Sequence, residues 1–169
     1  MGKLLRRSRQ AESRLGRIPP DRGHAQGPAS RHAARVPVKY LLDTNTLIYA
    51  FRGTGGVRAR MNGTSDADMN LCAVNLFELE FGFAKSANPG PQRALLDELV
   101  QRLRVLPLDS ASAESAGQIK AHLQQAGTPI GPYDLLIAGI AMAHNLIVVS
   151  RNVSEFSRVP GLRVENWYH

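Results

Sequence analysis

Three carboxylates stand at places in the sequence from which they could act together. Asp43 follows the apolar run "VKYLL", which has the composition of a buried strand. Glu78 lies near the start of "NLFELEFGFAKS" and Asp134 near the start of "PYDLLIAGIAMAHN", and both segments have helical composition. A charge directly after a buried strand needs a reason, and a site shared by the three acids would supply one.

The elements that must position these acids alternate along the chain. Short β-rich runs predict strands, and the longer segments between them predict helices. The predicted strands cover 38–42, 69–74, 104–108 and 146–150, with 161–167 as a candidate edge strand. The predicted helices cover 45–51, 55–62, 75–86, 91–103, 109–127 and 132–145. This alternation predicts an α/β fold: one domain with a central, mainly parallel sheet of four to five strands and helices on both faces.

Right-handed crossovers bring the carboxyl ends of parallel strands to one edge of the sheet, and ligands bind outside that edge. Asp43 is expected there, directly after the first strand. Glu78 is expected in the first turn of the helix after the second strand, and Asp134 in the first turn of the helix before the fourth. Asn152 and Glu155 follow the fourth strand. Elements far apart in sequence thus deliver carboxylates to one place.

The chemistry of such a cluster favours a metal ion. Several carboxylates in one pocket repel one another, and burial raises their pKa values. A divalent cation relieves this repulsion, and hard oxygen ligands suit Mg²⁺ or Mn²⁺. The ion would activate water and hold a phosphodiester. Histidine is not required, and none of the five in the sequence is obviously placed to act as a base.

Each acid also has a purely structural explanation. Asp43 could be a helix N-cap, and Glu78 could form a capping box with Asn75. Asp134 could complement the helix dipole, and Glu155 could be an ordinary solvated charge. Taken singly, these explanations compete with a catalytic role, whereas the joint location at one edge of the sheet favours a shared site.

The net charge of +7 originates in the first 39 residues. They hold ten Lys/Arg against two Asp/Glu, whereas residues 40–169 hold eleven against twelve. Residues 1–36 are predicted to be a disordered basic arm because they contain few large apolar side chains. The arm could bind nucleic acid, resemble a transit peptide, or reflect a misplaced start with translation beginning near Val36 or Val38. The predicted folded domain covers residues 38–169.

The sequence also bears on compartment. Its single cysteine, Cys72, excludes an intramolecular disulfide, and no Cys/His cluster has zinc spacing. The longest apolar stretch has 15 residues, fewer than the roughly 20 that a transmembrane helix needs. We therefore expect a cytoplasmic protein that does not contact a membrane.

For several remaining residues we predict an ordinary structural role. Cys72 is predicted to be a small buried strand residue. Phe77, Phe81 and Phe83 are predicted to belong to the core rather than to a base-stacking surface. Four arginines are expected to be surface cations, of which one or two near the site could hold phosphate: Arg102, Arg104, Arg151 and Arg158.

Four segments, in order, resemble a known family. They are "YLLDTNTLIY", "NLFELEFGFAKS", "PIGPYDLLIAGIAMAHNLIVVS" and "NVSEFSRVPGLRVENW". Through them the chain from Val38 to Trp167 resembles a PIN domain, and specifically a VapC-type toxin ribonuclease of type II toxin–antitoxin systems. Each segment is weak evidence alone, whereas four in the right order form a specific signal.

The resemblance implies a four-acid, Mg²⁺-dependent endoribonuclease that acts on structured RNA, notably tRNA. It also implies a homodimer and a cognate VapB-type antitoxin whose tail blocks the active site. By position, Asp43, Glu78 and Asp134 would be the first three acids, with Asp43 and Asp134 as direct metal ligands. Thr44 and Asn45 would orient the Asp43 carboxylate and the substrate phosphate.

One departure from the family pattern leaves alternatives open. Many PIN domains have an aspartate where this chain has Asn152, and Glu155 could supply the fourth acid instead. The uncharged Asn152 also supports an alternative to the enzyme, namely a catalytically weak module that binds RNA or a partner. A strand-terminal aspartate is the nucleophile of aspartyl-phosphate phosphatases too. Those enzymes need a second aspartate where this chain has Asn45, which disfavours that chemistry.

Overall fold

The computed structural model describes residues 39–169. The predicted basic arm, 1–36, lies outside that range, as does Val38, at which the first strand is predicted to begin. Among residues 39–169, no helix is both long enough and apolar enough to cross a bilayer.

The described residues form a five-stranded sheet in which every neighbouring pair of strands is parallel. The strands are β1 Tyr40–Leu42, β2 Met69–Cys72, β3 Arg104–Leu106, β4 Ile147–Val149 and β5 Arg163–Glu165. Their order is β3-β2-β1-β4-β5, so the chain adds strands on one side of β1 and then crosses to the other. The predicted α/β fold is confirmed, and the carboxyl ends of β1 and β4 mark the topological switch point where such sheets bind ligands.

Seven helices surround the sheet in this part of the chain. They are α1 Thr44–Arg52, α2 Val57–Asn62, α3 Ala73–Ala84, α4 Gly90–Arg102, α5 Ser110–Gln125, α6 Pro132–Ala143 and α7 Val153–Phe156. The six predicted helices are present, with ends shifted by a few residues. The sequence predicts no helix at α7, because four residues are too few to show a helical period.

Helix α3 begins earlier than predicted. Cys72 is its N-cap, and the side chain of Asn75 accepts a hydrogen bond from the Cys72 backbone N–H at 2.9 Å. This capping interaction draws Ala73 and Val74 into the helix, so the prediction of a strand through residue 74 is wrong. Glu78 consequently lies in the second turn of α3 rather than in the first.

Apolar side chains pack on both faces of the sheet. Leu41 and Leu42 of β1 are fully buried and point to opposite faces, as successive strand residues do. On one face Leu41 packs in a cluster with residues of α5 and α6, and on the other Leu42 packs with residues of α1, α2 and α4. The central strand is therefore held rigidly from both sides, which fixes the residue that follows it.

The prediction for the phenylalanines of α3 is wrong at two of three positions. Phe83 is buried in the core, whereas Phe77 and Phe81 are 52% and 58% exposed. Residues four apart share one helix face, and that face of α3 points away from the sheet. The Phe77 ring contacts Tyr133 of α6, with 5.4 Å between the ring centroids. Cys72, by contrast, is buried at the end of β2 as predicted.

Candidate active site

Asp43 lies directly after β1 and is only 2% exposed. It is the N-cap of α1, and its Oδ1 accepts a hydrogen bond from the Thr44 backbone N–H at 2.7 Å. Its Oδ2 accepts a hydrogen bond from the Ser150 hydroxyl at 2.7 Å. The structural explanation of Asp43 as a helix cap is thus confirmed. Capping accounts for one carboxylate oxygen but not for the burial of the charge.

Burial raises the pKa of Asp43 to about 6. The hydrogen bonds from Ser150 and Thr44 act in the opposite direction, and the negative charge of Glu78 adds to the rise. The buried carboxylate is therefore poorly compensated by the protein's own groups. A bound cation would compensate it.

Glu78 reaches this site through a chain of hydrogen bonds between α1 and α3. The Thr44 hydroxyl donates to Glu78 Oε2 at 2.6 Å. The same hydroxyl oxygen accepts from Asn75 Nδ2 at 3.0 Å. Asn75 Oδ1 accepts a hydrogen bond from the Cys72 N–H, so Asn75 alone provides the side-chain cap of α3. The capping-box explanation of Glu78 is therefore wrong, because Asn75 occupies the position that it assigned to Glu78.

Asp134 lies in the first turn of α6, as predicted. That position suits the helix dipole, so the structural explanation holds alongside any catalytic role. The pKa of Asp134 is raised to about 7, mainly by burial and also by the negative charges of Asp43 and Glu155. The structure thus brings the charges of the predicted acids within electrostatic reach of one another at the carboxyl edge of the sheet.

Asn152 and Glu155 each hold a neighbour in place. Asn152 donates through Nδ2 to Asp134 Oδ2 at 2.8 Å. Glu155 Oε2 accepts from the Gly131 N–H at 2.9 Å, and this bond lowers the pKa of Glu155. The description of Glu155 as an ordinary solvated charge is therefore wrong. Its carboxylate ties α7 to the residue that precedes α6.

The two residues that follow Asp43 differ in their surroundings. Thr44 is buried and orients two acids, Asp43 through its backbone N–H and Glu78 through its hydroxyl. Asn45 is exposed in the first turn of α1, where its side chain is accessible to a ligand.

Sequence reasoning missed two residues that build the site. From the sequence, Ser150 is predicted only as part of the fourth strand, and Asn75 only as a capping partner. The parallel register pairs Leu42 with Val149, which places Ser150 beside Asp43. A prediction of that register would have found Ser150. No sequence signal marks this role of Asn75, because the strand is predicted through residue 74 and only its observed end at Cys72 puts Asn75 at the third position of the helix.

The donor set fits a hard divalent cation. Asp43 follows β1 and Asp134 lies in the first turn of α6, and the negative charge of Glu78 contributes to the raised pKa of Asp43 as that of Asp43 does to the raised pKa of Asp134. Within residues 39–169, no group of three or more His, Cys, Asp or Glu side chains is placed so that together they could hold a metal ion. Mg²⁺ needs no such cluster, because it binds through one or two carboxylates and keeps several of its waters.

Comparison with known proteins places the chain and its fold in a family. Residues 40–162 match the family model described as PIN domain. The chain is 40% identical over 131 residues to the tRNA(fMet)-specific endonuclease VapC of Salmonella typhimurium, covering 77% of this chain and 98% of that protein. It is 37% identical over 131 residues to Ribonuclease VapC2 of Haemophilus influenzae, with the same coverage.

Solved structures agree with these relatives. The crystal structure of DNA-bound VapBC from Salmonella typhimurium matches with a TM-score of 0.71 at 40% identity, covering 77% of this chain and 98% of that chain. VapBC2 from Rickettsia felis, bound to a DNA fragment of its promoter, matches with a TM-score of 0.69 at 30% identity, covering 77% and 99%. The chain belongs to the PIN domain family, as a member of its VapC-type ribonucleases.

Proposed function

We propose that this protein is the toxin of a VapBC-type toxin–antitoxin pair, a Mg²⁺-dependent endoribonuclease that cuts structured RNA such as tRNA. The observation that carries the proposal is the buried Asp43 carboxylate at the switch point of the sheet. The negative charge of Glu78 raises the pKa of Asp43, and the negative charge of Asp43 raises the pKa of Asp134. The relative from Salmonella typhimurium, a tRNA(fMet)-specific endonuclease, supports tRNA as the substrate class.

The residues of the site have distinct proposed roles. Asp43 and Asp134 hold the ion, and Glu78 holds a water or a second ion beside it. Thr44 fixes the orientation of Asp43 and Glu78. Mg²⁺ bound here would lower the pKa of a water and polarise the scissile phosphodiester. Asn45, exposed at the start of α1, contacts the substrate phosphate.

Asn152 and Glu155 support the site in this proposal. Asn152 brings no negative charge, and its amide N–H faces Asp134, so it orients that carboxylate. Glu155 keeps the start of α6 in place through Gly131. In this proposal Asn152 and Glu155, each hydrogen-bonded to a residue at the start of α6, have positioning roles in place of the fourth acid implied by the family resemblance.

The proposed partners follow from the relatives. VapBC complexes among the similar structures support a cognate VapB-type antitoxin. A concentrated set of carboxylates in a domain of nearly neutral charge would attract a basic side chain from such a partner. The toxin itself is proposed to be a homodimer.

Asp43→Asn tests the catalytic proposal. The full-length wild-type protein should cleave tRNA with Mg²⁺, stop when EDTA is added in excess, and resume when Mg²⁺ is restored. Asp43→Asn should lower the cleavage rate by at least about 100-fold, because one charged ligand is lost while the side chain keeps its shape. Cleavage is followed on gels with end-labelled tRNA.

The matched control is Asp97→Asn, which removes the same charge from an exposed position of α4. It should cleave at the wild-type rate. Cleavage by Asp43→Asn at the wild-type rate would contradict the mechanism. Intact RNA binding without Mg²⁺ or Mn²⁺ binding would favour the alternative, a PIN-like module that only binds RNA or a partner, for which the uncharged Asn152 is the supporting feature.

A further inference from the structure

Arg151 is the residue directly after Ser150, the hydrogen-bond donor to Asp43. Its guanidinium carbon lies 4.4 Å from the ring centroid of Tyr168 and 5.7 Å from that of Tyr49. Arg151 Nη1 also donates to the Tyr49 hydroxyl at 3.3 Å. The two tyrosine rings contact each other edge to face, with 4.7 Å between centroids. The guanidinium is therefore stacked on one ring and hydrogen-bonded to the other.

The backbone around this stack is shaped to receive Tyr168. A Cβ at Gly55 would overlap the Tyr168 ring, so only glycine fits there. Gly55 also has a φ of +63°, a left-handed conformation that favours glycine. Its carbonyl oxygen accepts a hydrogen bond from the His169 N–H at 3.0 Å. The residues after β5 are thus fastened to the loop between α1 and α2, and this brings Tyr168 under Arg151.

Arg151 is held in place without being neutralised. Arg93 pairs with Glu80, and Arg102 pairs with both Asp66 and Glu98. Within residues 39–169, no carboxylate lies within ion-pair distance of Arg151. The side chain is exposed, and in the same part of the chain its hydrogen-bond partner is the Tyr49 hydroxyl alone. Most of its N–H groups are free for a ligand.

A stacked, exposed and unpaired guanidinium suits one class of ligand. Arginine recognises phosphate through parallel N–H groups, and it combines this with stacking on aromatic rings. A side chain that is already ordered loses less entropy when it binds. We propose that Arg151 binds a backbone phosphate of the RNA substrate beside the scissile one, with Tyr49 and Tyr168 holding the guanidinium plane. This inference rests on the proposed ribonuclease function and adds a substrate contact to it.

The test measures RNA binding rather than cleavage. Full-length protein carrying Asp43→Asn binds labelled tRNA in EDTA, and the binding constant is determined across a range of KCl concentrations. Adding Arg151→Met should weaken binding several-fold at low salt. It should also make the slope of log K against log salt shallower by about 0.7 to 0.9, the amount for one phosphate contact.

Arg104→Met is the matched control, because Arg104 is an exposed arginine at the start of β3, an edge strand that lies three places from β4 in the sheet. It should leave the salt slope nearly unchanged. A second pair of variants keeps the charge of Arg151 and changes only its support. Tyr168→Leu should weaken tRNA binding about two- to five-fold, whereas Tyr168→Phe, which retains the ring, should bind as the parent does.

Each outcome decides between the proposals. If Arg151→Met and Arg104→Met change the salt slope equally, Arg151 makes no specific phosphate contact and the inference is wrong. The same holds if Arg151→Met lowers only the free energy of unfolding, measured in urea, and leaves tRNA binding intact. If the slope changes as expected but wild-type protein does not cleave RNA, the phosphate contact of Arg151 stands and the proposed catalytic function fails. Absence of RNA binding by the parent protein would overturn both.

Discussion

At the scale of single residues, Asp43 combines two demands that conflict. As the N-cap of α1 it is stabilised by the Thr44 N–H, and the Ser150 hydroxyl satisfies its second oxygen. Burial nevertheless disfavours its charged form, and the pKa rises to about 6. Because burial disfavours the ionised form of this carboxyl group, a bound cation would stabilise that form strongly. The residue that caps the helix is thus also the residue best suited to hold the proposed metal ion.

The raised pKa predicts how stability depends on pH when no divalent cation is present. Between the unfolded pKa of about 4 and the folded pKa of about 6, folded Asp43 keeps a proton that the unfolded chain has lost. Stability from this group is therefore complete at low pH and is lost as the pH rises through 6. The loss is on the order of 3 kcal/mol for Asp43, and Asp134 acts in the same direction.

Urea unfolding in EDTA at several pH values between 4.5 and 8 measures this effect. The free energy of unfolding should fall more steeply with pH for the wild type than for Asp43→Asn, which has no proton to lose. Asp97→Asn, the exposed control, should follow the wild-type curve. Parallel curves for wild type and Asp43→Asn would show that burial does not raise the pKa of Asp43.

At the scale of elements, the position of Asp134 depends on contacts that hold α6 at its start and along one side. The start of the helix is tied to α7 by the bond from the Gly131 N–H to Glu155. Its side packs against α5 at Gly139, where a Cβ would lie 2.6 Å from Ala116 Cβ and 2.8 Å from the Ser112 carbonyl oxygen. Such distances permit only glycine, so α5 and α6 approach as closely as their backbones allow.

Two substitutions of Glu155 distinguish a positioning role from that of a fourth acid. Glu155→Gln removes the charge but keeps an oxygen that accepts from Gly131, so it should retain most of the cleavage rate. Glu155→Ala removes the acceptor, and should lower both the rate and the free energy of unfolding, the latter by about 1 kcal/mol. Cleavage assays and urea unfolding measure the two effects. Equal loss of activity in both variants would show that the charge itself is required.

Gly139→Ala tests the packing of α6. The added methyl group should force α5 and α6 apart and destabilise the protein by about 1 to 3 kcal/mol. Gly117→Ala is the matched control, because a Cβ at Gly117 on α5 would meet no other described residue within 4 Å. That variant should be neutral or stabilised by up to about 1 kcal/mol, since alanine favours helix. Thermal unfolding that ranks the two variants in the reverse order would contradict the close contact.

At the scale of the whole molecule, charge is distributed unevenly along the chain. Ten of the 21 Lys/Arg lie in residues 1–39, and residues 40–169 hold eleven against twelve acids. The edge of the sheet proposed to be catalytic is acidic, so attraction of RNA is expected to come from elsewhere in the protein. The basic arm and individual cations such as Arg151 are the two sources that the sequence offers.

Deletion of residues 1–36 separates these sources. If the arm contacts phosphates, the deletion should weaken tRNA binding at low salt and make the salt slope shallower by several units, because several cations are lost together. The cleavage rate at saturating tRNA should stay the same, since the acids remain. Binding measured across KCl concentrations and single-turnover cleavage provide the two readouts. An unchanged salt slope would show that the arm has no role in RNA binding.

The sequence alone determined the architecture and the positions of the main acids. Strands and helices have local periods, so their alternation predicted a parallel sheet, and its topology placed Asp43, Glu78 and Asp134 at one edge. Boundaries were less certain, as α3 shows, because the Asn75 side chain decided where the helix begins. The resemblance of four ordered segments to PIN domains predicted the family, and the comparisons confirmed it.

Only the tertiary structure decided which groups support those acids. Ser150 lies 107 positions from Asp43 in sequence, and the strand register alone brings them together. The exposure of Phe77 and Phe81, the bond of Glu155 to Gly131 and the stacking of Arg151 on Tyr168 likewise depend on contacts between distant elements. Local patterns report the period of one segment. They carry no information on which atoms of another segment will face it. The burial and the hydrogen bonds of a side chain depend on those facing atoms.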